Sequence, residues 1–285
     1  MRLRQAWAVF VYSSAYLAVI AMAKVLIVQY VLSLPLSPAP LVGGLATFAI
    51  YANDRLTDVE TDVASNPERT MFVNRHRDSL YVLAAVTYGI AIALAALGGP
   101  VAFAMVVFPA VAWLLYGQEW VPLSRVPFRR LKEILVVNSA LVAAAWSLSV
   151  VLVPLSFADQ GMTPTALVLV SYFALGTFVN TEIANMSDME SDERNSVRTL
   201  PIALGIRRTK HWMCLLTLLV GAVLAVATLA GYLSLSVAGI LSIGPLALLV
   251  VIARLQGSEQ DNPLVIAAES TRLLVVCALG AVAVV

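Results

Sequence analysis

Carboxylates at helical spacing are the side chains of this sequence best placed to do chemistry. Asp54, Asp58 and Asp62 recur every four residues, and Asp188 and Asp192 repeat the spacing later in the chain. Residues at i, i+4 and i+8 share one face of a helix, so each set predicts an acidic stripe. Like charges at this spacing repel each other when nothing neutralises them. A divalent cation bound by the two stripes would remove that repulsion.

The two stripes belong to an internal repeat. The segment TDVETD (57–62) recurs as SDMESD (187–192), and Arg69 and Arg198, each followed by a threonine, come shortly after the two copies. Acidic residues at a single helix end are usually solvated, but a duplicated pattern favours a site. Mg²⁺ takes one or two carboxylates and fills its other positions with water and phosphate oxygens, and arginine donates paired hydrogen bonds to phosphate. The repeat therefore indicates a Mg²⁺-bridged diphosphate site.

The composition indicates an integral membrane protein. Of the 285 residues, 60% are apolar and 12% are charged, and the mean hydropathy is +0.88, which is more than the core of a soluble domain requires. The lipid bilayer is therefore the expected surrounding. A net charge of +1 gives no indication of nucleic acid binding. A diphosphate whose bulk lies in the membrane would be an isoprenyl diphosphate.

Turn and charge clusters divide the chain into nine candidate spans, each near the length of about 20 apolar residues that a bilayer requires. The candidates lie near 7–33, 36–53, 79–98, 100–117, 133–154, 165–185, 210–231, 233–254 and 264–285. The expected fold is all-α, because no strand-period alternation recurs at the spacing of a barrel. Two four-helix blocks, about 1–117 and 131–254, would form a pseudo-repeat, and the ninth span would complete a single domain over 1–285.

Basic residues indicate the orientation of the spans. The N-terminus and the loops at 54–78, 118–132 and 186–209 carry arginine or lysine, whereas the alternate loops carry neither. By the positive-inside rule, the N-terminus and both acidic motifs are predicted to be cytoplasmic. Nine spans would then place the C-terminus outside.

Polar residues in or near the spans are further candidates for the site. Lys24 lies inside span 1, where a charged residue is functional, extends its long side chain to the membrane interface or pairs with another group. Glu182 precedes Asp188 by one to two turns and is expected to orient a ligand. Glu269 and Arg272, at i and i+3, are interpreted as an ion pair. Four residues could line a pocket that stabilises a cation: Tyr51, Asn138, Trp146 and Tyr172.

Taken together, these motifs resemble the UbiA superfamily of intramembrane prenyltransferases. Its members carry two aspartate-rich motifs, typically N-D-x-x-D-x-x-x-D and D-x-x-x-D-x-x-x-G-x-x-T-L-P. The second motif reads DMESDERNSVRTLP (188–201) here, with Ser196 in place of the glycine. In the first motif Asp54 falls on the position of the leading asparagine, and Asn53 lies one residue too early. Either residue could fill that position.

The resemblance implies Mg²⁺-dependent transfer of an isoprenyl group from a prenyl diphosphate to a hydrophobic or aromatic acceptor. Members of the superfamily are all-helical, usually with nine spans. Position by position, five carboxylates would bind metal and diphosphate: Asp54, Asp58, Asp62, Asp188 and Asp192. Three basic residues would face the diphosphate: Arg69, Lys132 and Arg198. Contact with the acceptor, or support of these groups, is expected from Lys24, Asn53, Asn138, Glu182 and Asn185.

Two other functions use similar features. An intramembrane terpene cyclase would have the same ionisation site, but its cation would cyclise internally. A transporter also has internal repeats and intramembrane charges, but its polar groups are expected near the bilayer midplane, whereas these acids lie at one edge. The acceptor, the prenyl chain length and the oligomeric state are left open by these residues.

Overall fold

The structure is a computed structural model that describes residues 2–57, 59, 66–117, 137–194 and 197–283. Regular structure within these ranges is helical, as the sequence predicts. The elements in chain order are α1 (Arg2–Tyr12), α2 (Ala15–Val31), α3 (Ala39–Thr57), α4 (Pro67–Arg75), α5 (Arg77–Leu97), α6 (Pro100–Gly117), α7 (Val137–Phe157), α8 (Pro164–Ser187), α9 (Met189–Arg194), α10 (Leu200–Leu204), α11 (Ile206–Leu229), α12 (Leu235–Arg254), a 3-10 turn (Glu259–Asp261) and α13 (Asn262–Ala283).

Local sequence signals set the start of several helices. Thr163 is the N-cap of α8, and its hydroxyl accepts a hydrogen bond from the Ala166 amide at 3.1 Å. Ser234 does the same for α12, accepting from the Val237 amide at 3.3 Å. Pro164 follows the first of these caps, at a position where its missing N–H has no helical partner to lose. These caps fix where two long apolar helices begin.

The long helices form a closed ring. Each one packs against the next in the order α2, α3, α5, α6, α7, α8, α11, α12 and α13, and α13 packs back against α2. Contacts of α2 with α7 and of α8 with α13 cross the interior of the ring. The two predicted acidic segments follow α3 and α8, which have corresponding places in the two predicted four-helix blocks. The division into blocks within a single domain stays a prediction.

The predicted count of nine spans is not confirmed. Within the described residues, six helices are long and apolar enough to cross a membrane, namely α5, α7, α8, α11, α12 and α13, and the bent pair of α1 and α2 would make seven. The second candidate span, α3, ends in the polar sequence NDRLT (53–57), which lowers its apolar character. In α6 the apolar part covers only Pro100–Val111, which is shorter than a candidate span. The all-helical membrane class is confirmed.

A break divides the first candidate span into two helices. The axes of α1 and α2 differ by 66°, and Ser14 between them has a φ of 71°, in the left-handed region, where a residue other than glycine is uncommon. The break frees carbonyls that a continuous helix would use. Nη1 of Arg55, on α3, donates hydrogen bonds to the carbonyls of Val11 and Tyr12 at 2.7 and 2.6 Å. The break is thus held by the helix that carries the first acidic motif.

The expected ion pair between Glu269 and Arg272 is wrong. Arg272 is only 2% exposed. Its Nη1 donates to the Tyr172 hydroxyl at 3.1 Å, and its Cζ lies 4.8 Å from the centre of that ring. Gly176 on α8 and Gly244 on α12 leave the space that the guanidinium fills, since a Cβ at either would overlap it. The i, i+3 spacing along α13 suggested a local pair with Glu269. Arg272 is instead surrounded by residues of α8 and α12.

Candidate active site

The first acidic motif begins at the C-terminal end of α3. Asn53 and Asp54 are half-buried in its final turns, and the Thr57 hydroxyl donates to the Asp54 carbonyl at 2.8 Å. Tyr51 and Asp54 lie one turn apart on one face of the helix. Asp58 and Asp62 lie outside the described residues, so their contribution to an acidic stripe stays a prediction.

The second motif begins where α8 ends. Asp188 is the C-cap residue of α8, and the Asp192 amide donates to the Asp188 carbonyl at 2.9 Å. Helical spacing therefore continues from α8 into α9, and both carboxylates are half-buried. The intervening Glu190 is exposed and forms an ion pair with Arg194. The repeated glutamate thus makes a local pair of its own.

The ends of α3 and α8 that carry the motifs lie at the same end of the bundle. The Ser187 hydroxyl, at the end of α8, donates to Oδ1 of Asn262 at 3.1 Å, where α13 begins. Tyr51, near the end of α3, packs in one cluster with Ile266 in the second turn of α13 and with Tyr16 in the first turn of α2. The end of α8 and the end of α3 are therefore both joined to the start of α13, the first directly and the second through this cluster.

The predicted phosphate-facing residues follow the two motifs. Arg69 lies in the first turn of α4 and is half-buried. Arg198 is exposed and lies directly before Thr199, the N-cap residue of α10. Lys132 lies outside the described residues. The Thr199 hydroxyl is buried, and within the described part of the chain it has no hydrogen-bond partner.

A network that the sequence did not indicate holds α4 against the α1–α2 break. The Tyr12 hydroxyl donates to Oε2 of Glu68 at 2.7 Å, and the Tyr12 and Phe72 rings lie 5.9 Å apart. Glu68 directly precedes Arg69. The Arg55 hydrogen bonds hold the end of α3 at the α1–α2 break, and the Tyr12–Glu68 hydrogen bond holds the start of α4 there. The helices before and after the first motif therefore both contact this break. No spacing along the sequence reports such a contact, because its partners lie more than 40 residues apart.

Glu182 has the supporting position expected for it. This residue is 1% exposed, and its carboxylate accepts hydrogen bonds from the Ser139 hydroxyl at 2.5 Å and from Nδ2 of Asn185 at 3.2 Å. Asn185 lies one turn before Asp188, so Glu182 orients a polar side chain next to the second motif. Asn138 lies in the first turn of α7, directly before Ser139.

Two of the aromatic candidates come together below the first motif. The Tyr51 and Trp146 rings stack, with centres 5.8 Å apart and planes 14° apart. An apolar cavity, lined in part by Ala46, Thr47, Ile50 and Trp146, lies between α2, α3, α6 and α7. Tyr172 is instead buried against Arg272. The stack therefore marks the boundary between the aspartate-bearing helix end and an apolar space.

Lys24 forms an ion pair rather than reaching toward an interface. Its Nζ lies 3.6 Å from Oε2 of Glu269, and the two side chains are 12% and 19% exposed. This contact joins α2 to α13. The structure thus shows Lys24 paired with a charged group, and its expected part in the site stays a prediction.

The donor set fits a hard divalent cation. Half-buried carboxylates at the ends of α3 and α8, each motif followed along the chain by an arginine, are of the oxygen-ligand type that Mg²⁺ prefers. No group of three potential ligands is assembled among the residues that the structure describes. Two of the five predicted metal ligands, Asp58 and Asp62, fall outside that part, so the ligand set stays a prediction.

Comparison with known proteins places the chain in a family. The profile of the UbiA prenyltransferase family matches residues 12–267, so the chain belongs to that family, and the resemblance drawn from the two motifs is confirmed. The expectation of an enzyme of the prenyltransferase class is confirmed by the same match. A search of curated proteins finds no significant match.

Solved structures share the fold across nearly the whole chain. A UbiA homolog from Archaeoglobus fulgidus bound to GPP and Mg²⁺ aligns with a TM-score of 0.70 at 13% identity, covering 98% of this chain and 100% of that one. A second structure, of a UbiA homolog from Archaeoglobus fulgidus bound to DMAPP and Mg²⁺, aligns with a TM-score of 0.59 at 13% identity. The alignment covers 93% of this chain and 99% of that one. A structure described for digeranylgeranylglyceryl phosphate synthase gives 0.62 at 12% identity, with 97% of each chain covered.

Proposed function

We propose that this protein transfers an isoprenyl group from a prenyl diphosphate to a hydrophobic or aromatic acceptor within the membrane, with Mg²⁺ as cofactor. The observation that carries the proposal is that both motif-bearing helix ends lie beside the start of α13. Ser187 of α8 donates to Asn262, and Tyr51 of α3 packs against the same buried cluster as Ile266. The solved relatives with bound GPP or DMAPP and Mg²⁺ support it.

The proposed roles follow from the chemistry of the side chains. Carboxylates at the two helix ends would hold Mg²⁺: Asp54, Asp58, Asp62, Asp188 and Asp192. Bound there, Mg²⁺ would offset the negative charge that develops on the diphosphate as it leaves. Basic side chains would donate hydrogen bonds to the phosphate oxygens: Arg69, Lys132 and Arg198. These residues together would lower the free energy of breaking the allylic C–O bond.

Neighbouring residues would position these groups. The Glu182 carboxylate keeps Asn185 oriented one turn before Asp188. The Tyr12–Glu68 hydrogen bond holds the first turn of α4. The stacked Tyr51 and Trp146 rings present aromatic surface near the end of α3, where their faces would stabilise an allylic cation. Asn53 and Asn138 lie at the ends of the helices that carry this stack.

The membrane arrangement belongs to the same proposal. The N-terminus and both motifs would lie on the cytoplasmic side, where a water-soluble diphosphate head is available, and the C-terminus would lie outside. The isoprenoid chain would extend toward the apolar cavity beyond Trp146. A transporter would need its polar groups near the midplane, which the position of the motifs at one end of the bundle does not favour.

Diphosphate release tests the proposal. Purified protein in lipid nanodiscs would be given labelled geranyl or dimethylallyl diphosphate and an extract of host membranes, with Mg²⁺ or with a chelator. We expect Mg²⁺-dependent diphosphate release and a prenylated product. Asp188→Asn should lower the rate by about 100-fold or more, on the scale of losing one stabilising contact in the transition state.

Glu190→Gln is the matched control, because Glu190 lies two residues away and pairs locally with Arg194. Its rate should stay within about twofold of the wild type, as expected of an exposed ion pair. Diphosphate release that needs no metal would contradict the proposal. An equal loss of rate in Asp188→Asn and Glu190→Gln would contradict it as well. Cyclic isoprenoid products without an added acceptor would instead identify a terpene cyclase that uses the same ionisation site.

A further inference from the structure

An ion pair lies inside the helix bundle where α13 closes the ring against α2. Lys24 and Glu269 approach to 3.6 Å, and their side chains are 12% and 19% exposed. Charged residues within membrane spans are costly, and those that persist usually have a function. A structural pair could also occupy this place, so the surroundings of the carboxylate decide between the two.

The Glu269 carboxylate retains unused capacity to accept a proton. Across the described residues it makes this one ion pair and no hydrogen bond. Glu182, the other carboxylate deep in a described span, differs, because Ser139 and Asn185 both donate to it and it is 1% exposed. Hydrogen bonds donated to a carboxylate stabilise its charged form, so of these two carboxylates Glu269 is the better suited to accept a proton.

Packing places Glu269 beside the end of α3 that carries the first motif. Ile266 and Leu273 lie one turn on either side of Glu269 on the same face of α13, and both pack, as Tyr51 does, against one buried cluster that includes Tyr16 and Ile20. Tyr51 lies one turn, about 5 Å along the axis, from Asp54. Glu269 is therefore level with the stacked Tyr51 and Trp146 rings, next to where an allylic carbon would lie if its diphosphate were bound at Asp54.

We propose that Glu269 accepts the proton that the acceptor loses during transfer, an inference that rests on the proposed function. The C–O bond between the allylic carbon and the diphosphate breaks, and its electron pair leaves with the diphosphate. An electron pair of the acceptor forms the new bond to that carbon, and the acceptor's proton passes to a Glu269 carboxylate oxygen. The acceptor is thus a phenol, an alcohol or an electron-rich aromatic carbon that carries a removable hydrogen. Lys24 is a positioning residue that keeps the carboxylate ionised and oriented.

Separate readouts of ionisation and transfer test this role. Geranyl diphosphate with Mg²⁺ would be the donor, and an apolar extract of host membranes would supply the acceptor. In Glu269→Gln we expect geranyl diphosphate to bind within twofold of the wild-type Kd and diphosphate to be released. Prenylated product should fall by about 100-fold or more, the usual contribution of a general base, and water should capture the cation as geraniol. Glu269→Asp should recover part of the transfer.

Changes at Lys24 separate a catalytic role of Glu269 from a structural one. Lys24→Arg should keep most of the transfer activity, and Lys24→Met should lower it less than Glu269→Gln. If the pair only joined α2 to α13, the uncharged double variant Lys24→Met/Glu269→Gln would regain transfer, because no unpaired charge would remain buried. Such recovery would overturn the proposal, as would transfer within threefold of wild type, or lost geranyl diphosphate binding, in Glu269→Gln.

Failure of this inference is distinguishable from failure of the proposed function. A wild-type protein that releases no diphosphate under any condition contradicts the prenyltransferase proposal itself. Wild-type transfer with an unaffected Glu269→Gln variant contradicts only the role of Glu269. Elution of each variant as a single species on size-exclusion chromatography would show that the comparison is made on folded protein.

Discussion

Replacing Gly176 by alanine tests how Arg272 is accommodated inside the bundle. A Cβ at position 176 would lie 3.2 Å from the Arg272 Cζ and would overlap Nη2. Arg272 is 2% exposed, and its guanidinium is confined by Tyr172 and Gly244, so it has little room to move. To make space it must give up its hydrogen bond to Tyr172 and its place over the ring.

The expected cost follows from those two contacts. A hydrogen bond involving a charged group contributes about 1.5–3 kcal/mol, and a desolvated cation–π contact about 2 kcal/mol. Partial relaxation reduces the sum, so the free energy of unfolding should fall by about 2–4 kcal/mol. For a protein of this size the thermal midpoint should drop by roughly 5 °C or more. Heating in detergent, followed by size-exclusion chromatography of the remaining folded fraction, measures the change.

Matched variants separate this clash from a general intolerance of alanine. Gly221 and Gly239, also in long helices, have no atoms within 4 Å of an added Cβ, so alanine there should leave the midpoint nearly unchanged. In an Arg272→Met background, Gly176→Ala should cost clearly less than it does beside Arg272. An equal cost in both backgrounds, or equal costs at Gly176 and Gly221, would refute the reasoning.

Three further outcomes are expected. Tyr12→Phe removes the hydrogen bond to Glu68 and should raise the KM for prenyl diphosphate several-fold with little change in thermal midpoint. Tyr81→Phe, at an exposed tyrosine, is the control and should change neither quantity. An unchanged KM in Tyr12→Phe would count against a positioning role. Glu182→Leu leaves the Asn185 amide and the buried Ser139 hydroxyl without their acceptor. The free energy of unfolding should fall by about 1–3 kcal/mol per group, measured as a lower thermal midpoint. An unchanged midpoint would contradict this expectation. Chelation of divalent cations should abolish diphosphate release reversibly, and release that persists would exclude metal dependence.

The acidic motifs could be predicted because their information is local. Asp188 and Asp192 lie four residues apart, and the structure keeps helical spacing between them across the junction of α8 and α9. A repeat of the same spacing at Asp54 and Asp58, together with the downstream TLP sequence, was enough to indicate the family. Periodicity and short motifs carry information about one helix at a time, and that information was sufficient to predict the two acidic motifs.

Contacts between distant helices were beyond that reasoning. Glu269 was assigned to Arg272 because they are one turn apart, whereas α2 supplies its actual partner, Lys24. Arg55 was counted only as a basic residue of a cytoplasmic loop, but it binds the carbonyls that the α1–α2 break exposes. That break also reduces the number of uninterrupted spans, and its left-handed Ser14 has no sequence signature such as glycine.

The closed ring of helices has a consequence for how the protein is made. Because α13 comes last in chain order among the helices of the ring and packs against both α12 and α2, the ring stays open during synthesis until α13 has entered the membrane. Ile266 and Leu273, which pack against the same cluster as Tyr51, and Glu269, the partner of Lys24, arrive with that helix. Both aspartate motifs are translated much earlier, so a ribosome that stalls before α13 would leave a membrane-inserted chain that carries both motifs but lacks the helix that joins α12 to α2.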